Sequence, residues 1–205
     1  MSEKRRGQRG LRRGRFRVMP IAALMIVVLM LFDRSGFCAV TVLAAILHEC
    51  GHLLAAKCLR VPLSGLRMDF LGARLEVSGR MLSYGEEWLL SAAGPFASLL
   101  VAALAAPLWS VIPISRLFSC ASLLLGILNL LPISTFDGGR MMETTMLRFL
   151  SETSSRRVMR FSSFLFLFLI WAIAVYFLLR AAGGVSLLCF SMSLFAHFFE
   201  AAEDR

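Results

Sequence analysis

A chain of 205 residues with 58% hydrophobic residues, a mean hydropathy of +0.75 and a net charge of +9 is too apolar for an ordinary soluble domain. It is long enough for several membrane spans, and these are expected as helices, because backbone groups in lipid bond within their own segment. A barrel would need alternating strands, which the apolar segments lack.

The elements follow in chain order. Residues 1–17 form a basic tail, with Lys4, Arg5, Arg6, Arg9, Arg12, Arg13, Arg15 and Arg17 against the single acid Glu3. Apolar segments follow at about 18–32, 37–56, 88–109, 111–131, 161–179 and 184–199. The first lacks a small-x-small cleavage site, and Phe37 before Cys38 does not fit a lipoprotein signal, so it reads as a retained helix. Six spans with both termini in the cytoplasm place the tail, the 57–87 loop, the 132–160 loop and the C-terminus on the inner side. These hold 8, 5, 5 and 1 Lys/Arg, nineteen in all, against only Arg34, Arg116 and Arg180 outside. That asymmetry follows the positive-inside rule. The net charge then reflects topology and attraction to anionic lipid, and no nucleic-acid partner is expected. The expected fold is an all-α polytopic membrane protein of about six transmembrane helices: a basic cytoplasmic tail (1–17), then one integral-membrane domain (18–205).

Between the second and third spans the pattern changes. Leu66, Met68 and Phe70 alternate with Arg67 and Asp69, and Ala73, Leu75 and Val77 alternate with Arg74, Glu76 and Ser78. Period two, with Gly72 between the runs and Gly79 after them, predicts a small membrane-associated β-hairpin. It reads either as an interfacial loop on the headgroups or as an edge that takes up an extended peptide. The five cysteines (Cys38, Cys50, Cys58, Cys120, Cys189) are scattered and odd in number, and are expected as small buried side chains rather than a disulfide framework.

The chemistry is concentrated in His48-Glu49-Cys50-Gly51-His52, inside the second apolar segment. Two histidines four apart on a helix point the same way and can meet one metal ion, and Glu49 sits beside the water that the metal activates. Cys50, at an x position, faces away from the histidines. A catalytic zinc needs a third protein ligand and one open position. His197 reads as an interfacial histidine beside Phe198 and Phe199. Glu76 belongs to the alternating run, and Glu86 and Glu87 open the third span, where acids suit a helix N-terminus. Asp137 is the better candidate. It lies in Asn129-Leu130-Leu131-Pro132-Ile133-Ser134-Thr135-Phe136-Asp137-Gly138-Gly139-Arg140, where Pro132 breaks the helix and the glycines allow a sharp turn. By the charge-derived topology His52 and Asp137 share the cytoplasmic ends of their helices.

These residues resemble the site-2 protease family of intramembrane zinc metalloproteases. That family shows HExxH in one membrane helix and N-x-x-P-x-x-x-x-D-G at the end of a later one, matched here by His48, Glu49 and His52 and by Asn129, Pro132, Asp137 and Gly138. Gly94-Pro95 looks like the family's GP motif in the intervening helix. Ser98 stands where an asparagine is common, and Ser134-Thr135 where prolines often precede the DG. The resemblance covers about residues 37–140. It implies one zinc ion held by His48, His52 and Asp137, with Glu49 as general base, Asn129 steadying the oxyanion, and the 66–78 hairpin holding an unwound substrate strand.

The layout, with no stretch long enough for an inserted PDZ-like domain and none expected after the last helix, resembles the compact subgroup that includes the bacterial sporulation protease. It implies cleavage within or near a membrane segment of a tethered protein, such as a membrane-anchored transcription or sigma factor, in a bacterial cell membrane. Two other readings stand beside it: an inactive relative that binds membrane proteins, and a membrane metalloprotease with glutamate as third ligand. A metal transporter is disfavoured by the few polar residues in the other spans.

Overall fold

Apolar α-helices of about 20 residues or more match a hydrocarbon core about 30 Å thick. The computed structural model describes residues 15–18, 33, 36–61, 63–69, 72–77, 81–180, 188, 191–196 and 198. Its helices are α1 (Phe37–Cys58), α2 (Tyr84–Ala105), α3 (Pro113–Asn129), α4 (Asp137–Met146) and α5 (Glu152–Arg180), with a turn of 3₁₀ helix, Ala106–Ser110, extending α2. Among the described residues, α1, α2 with its extension, and α5 are long and apolar enough to cross a membrane.

Local chemistry sets the ends of these helices. The Ser83 hydroxyl accepts from the Glu86 backbone N–H while the Glu86 carboxylate accepts from the Ser83 N–H, a reciprocal capping box that starts α2. α1 ends with the Val61 N–H donating to the Ala56 carbonyl and Arg60 in the left-handed region at φ 53°. α5 begins nine residues before its apolar stretch: Ser151 caps it through the Ser154 N–H, and Glu152 pairs with Arg156 one turn on. α3, expected over 111–131, is only 17 residues long, because Pro113 starts it and the chain turns away after Asn129. Of the expected first and last spans, residues 19–32 lie outside the described residues, while 188, 191–196 and 198 are helical.

Three short backbone segments pair beside the helices: β1 (Arg15–Val18), β2 (Leu63–Asp69) and β3 (Gly72–Val77), in the order β1-β2-β3. β2 and β3 are antiparallel, with Leu66 opposite Leu75, and the register shifts between Leu63 and Gly65. β1 lies parallel to β2, Arg15 opposite Gly65, so the end of the basic tail belongs to this small sheet.

The helices are small and polar inside, large and apolar outside. Ser91, Ser98, Ser119, Ser122, Ser162 and Ser163 are buried, whereas Leu43, Ile46 and Leu54 on α1 and Phe164, Leu165 and Phe168 on α5 are exposed. Lipid gives apolar side chains no reason to hide, so helices associate through small residues and interhelical hydrogen bonds. The Ser119 hydroxyl donates to the Ala102 carbonyl across α3 and α2. Three cysteines follow the same outward pattern. Cys50, Cys58 and Cys120 are exposed and Cys38 is half-buried, all with free thiols, which corrects the expectation of buried side chains. Position on the outer helix faces, rather than side-chain size, decides it.

The segment between α3 and α4 is tied down by both its backbone and its side chains. The Pro132 carbonyl accepts from the Ser162 hydroxyl at 2.9 Å, and the Ser134 N–H donates to the Ser163 hydroxyl at 2.9 Å. Ile133 and Phe136 are buried with Leu167, Leu194 and Phe198. Gly138 and Gly139 press on backbone: a Cβ on Gly138 would lie 2.1 Å from the Leu130 carbonyl oxygen, and one on Gly139 2.0 Å from that of Ile133. Gly139→Ala must therefore displace the turn. We expect a stability loss of about 1–3 kcal/mol, the range for overpacking, read as a lower unfolding midpoint in detergent.

Candidate metal centre

His48 and His52 sit one helical turn apart on α1, four residues along, and both are buried. His48 is the twelfth residue of a 22-residue helix. At about 1.5 Å per residue it lies about 15 Å inside the Cys58 end, and His52 about 9 Å inside. The site is thus deeper in α1 than the helix-end position expected from the apolar segment alone.

What brings the imidazoles together with their partners is the absence of side-chain bulk on α2. A Cβ on Gly51 would lie 2.6 Å from the Ala93 carbonyl oxygen and 2.7 Å from the Ala97 Cβ, so the two backbones are nearly in contact there. Gly94 lies directly beneath the imidazoles: a Cβ on it would stand 2.2 Å from His52 Nε2 and 2.7 Å from His48 Nε2. Glycine leaves open the space that a bound ion would need.

Asp137, the first residue of α4, arrives from the constrained turn. Its Oδ2 lies 3.1 Å from His48 Nε2 and 3.2 Å from His52 Nε2, and the two Nε2 atoms are 3.3 Å apart. Three donors thus form an almost equilateral triangle. Ligands bound to zinc tetrahedrally at about 2.0–2.1 Å stand about 3.3 Å from one another. The edges of the triangle match that spacing, and the donor set of two imidazoles and one carboxylate suits zinc. The Asp137 carboxylate is largely enclosed against the two imidazoles, and a bound cation among the three would balance its charge.

The far side of each ring is also held. His52 Nδ1 lies 2.8 Å from the Leu90 carbonyl, which can only accept, so that nitrogen carries a proton and Nε2 is left able to serve as a ligand atom. Pro95 has no N–H to make the helical bond to the carbonyl of Ser91, the residue after Leu90. His48 Nδ1 lies 2.9 Å from the Ser98 hydroxyl.

The other sequence candidates divide clearly. Glu49 is half-buried on α1 next to His48. Asn129 ends α3, and its Nδ2 donates to the Leu125 carbonyl at 3.0 Å. Glu86 is committed to the capping box and Glu87 to the first turn of α2, as their position suggested. Glu76 lies in β3, and among the described residues only His48, His52 and Asp137 cluster as a metal-ligating group. His197 lies outside the described residues. Sequence reasoning missed the Leu90 carbonyl, which has no residue signature, and noted Ser98 only as a departure from a motif.

The model of peptidase family M50 matches residues 105–173, which include Asn129 and Asp137. The structure is similar to a site-2 protease from Methanocaldococcus jannaschii, with a TM-score of 0.59 and 20% identity over 88% of this chain and 85% of that one. At that identity the likeness is one of fold. No curated protein matches the sequence.

Gly94→Ala tests the cradle. The added methyl would occupy the space between the two Nε2 atoms, and we expect bound zinc in the purified protein to fall to a small fraction of the wild-type ratio while helical content is retained. Metal analysis beside far-ultraviolet circular dichroism reads both.

Proposed function

We propose that this chain is a member of peptidase family M50, the site-2 proteases, and a zinc endopeptidase that hydrolyses peptide bonds within or near a membrane segment of a tethered protein. The convergence of His48, His52 and Asp137 beside Glu49, inside a membrane-crossing helix, carries this reading.

When bound, zinc supplies Lewis acidity for the scissile carbonyl and lowers the pKa of water toward about 7. Its ligands are His48, His52 and Asp137. Glu49 takes a proton from the attacking water and delivers it to the leaving nitrogen. Asn129 donates to the developing oxyanion; its amide carries two N–H groups, and the Leu125 carbonyl takes one.

Peptide bonds in a transmembrane helix are shielded by their own hydrogen bonds, so a substrate must unwind before it is cut. The pairing of β2 with β3 supports a membrane-associated hairpin that receives the unwound strand by β-addition. β1 lies on the β2 side, so the outer edge of β3 is the side offered. The lysine and arginine asymmetry supports six spans with both termini cytoplasmic and water reaching the site from that face. Cleavage of a membrane-anchored transcription or sigma factor in a bacterial membrane is the substrate class that the insert-free layout favours.

Co-expression with tethered reporters should show processing by the wild type and none by Glu49→Gln, which keeps the metal ligands. Equal processing by the two would sink the protease reading. Asp137→Ala should lower bound zinc by at least tenfold and Glu76→Ala should leave it unchanged; the opposite result would favour a glutamate as third ligand.

A further inference from the structure

We infer that Ser98 is the positioning residue for His48, holding it in the tautomer whose Nε2 is free for the metal. The inference rests on the zinc reading proposed above and deepens it.

α2 presents Leu90, Gly94 and Ser98 at successive steps of four residues, so all three lie on one stripe facing α1. Each does a separate job for the imidazoles. The Leu90 carbonyl takes the Nδ1 proton of His52, Gly94 leaves room between the rings, and the Ser98 hydroxyl meets Nδ1 of His48. The pairing of 52 with 90 and 48 with 98 is what two antiparallel helices require.

Unlike a carbonyl, a hydroxyl can either donate or accept. A His48 Nδ1–H donating to Ser98 leaves the Nε2 lone pair facing Asp137. The reverse bond would put the proton on Nε2 and close the site to a cation. A bound cation selects the first arrangement, and Ser98 is the only partner seen for that nitrogen among the described residues. Water cannot replace it readily, because Ser98 is 1% exposed and His48 4%.

Ser98 is packed on its other side by α3: a Cβ on Gly126 would lie 3.2 Å from the Ser98 Cβ.

The test measures zinc affinity of the purified full chain in detergent by competition with a chromophoric chelator. Ser98→Ala removes the acceptor, and Ser98→Cys keeps much of the volume with a weak acceptor. Both should bind zinc about ten- to a hundredfold more weakly, the usual effect of losing the group that orients a ligand histidine. Ser119→Ala removes a comparably buried serine bond between α3 and α2 away from the metal. It should bind zinc as the wild type does. Wild-type affinity in both Ser98 variants overturns the inference, and so does an equal loss in Ser119→Ala, which would mean general loosening of the helices. Should Ser98→Ala fail to fold, the Ser98→Cys result decides. A wild-type chain that takes no zinc would instead remove the metalloprotease reading on which the inference stands.

Discussion

The near-contact of α1 with α2 is the constraint on which the site depends. A helix pair in lipid gains little from burying apolar surface, so close approach has to come from small residues and interhelical bonds. Gly51 against Ala93 and Ala97 supplies the approach, and Gly94 supplies the room beneath the rings. Bulk at either glycine would separate the helices or fill the space where the donors meet. The same closeness lets backbone and hydroxyl groups of α2 reach the far nitrogens of imidazoles rooted on α1. Ligand position and ligand tautomer therefore share one physical origin.

The third ligand poses the opposite problem, since Asp137 must arrive from a break in helical structure. Non-helical backbone at membrane depth is tolerated only where its polar groups find partners in protein. Here the Pro132 carbonyl and the Ser134 N–H are satisfied by the paired serines of α5, and the turn is anchored by Ile133 and Phe136 in the buried apolar cluster. Gly138 and Gly139 then let α4 start hard against the backbone it has just left. The carboxylate is held by a constrained turn, and its Oδ2 lies within 3.3 Å of both Nε2 atoms, which are themselves 3.3 Å apart.

The outward faces and the inner polar groups fit the same surroundings. Large apolar side chains and three free thiols face outward, while serines line the contacts between helices. A soluble protein arranged this way would expose its core. In a bilayer the arrangement turns the serines inward, where Ser119 bonds to α2 and Ser162 and Ser163 bond to the turn before α4, and leaves the apolar faces to the lipid. The cluster of His48, His52 and Asp137 sits within this frame well inside α1.

The amino-acid pattern by itself singled out the candidate metal-ligating residues and their apolar setting. The spacing of His48 and His52 fixes two donors on one helix face because the helical period does so in any context, and apolar length fixes the membrane helices. Pro132 and the following glycines marked a break before Asp137 for equally local reasons. Tertiary structure alone decided the rest. The depth of the site, the short α3 and the separate α4 depend on where helices stop against one another. The roles of the Leu90 carbonyl, Ser98 and the Ser162–Ser163 pair depend on atoms brought together from distant parts of the chain. A carbonyl has no letter of its own in a sequence, and a serine reads alike whether it faces lipid or an imidazole. Only packing tells these cases apart.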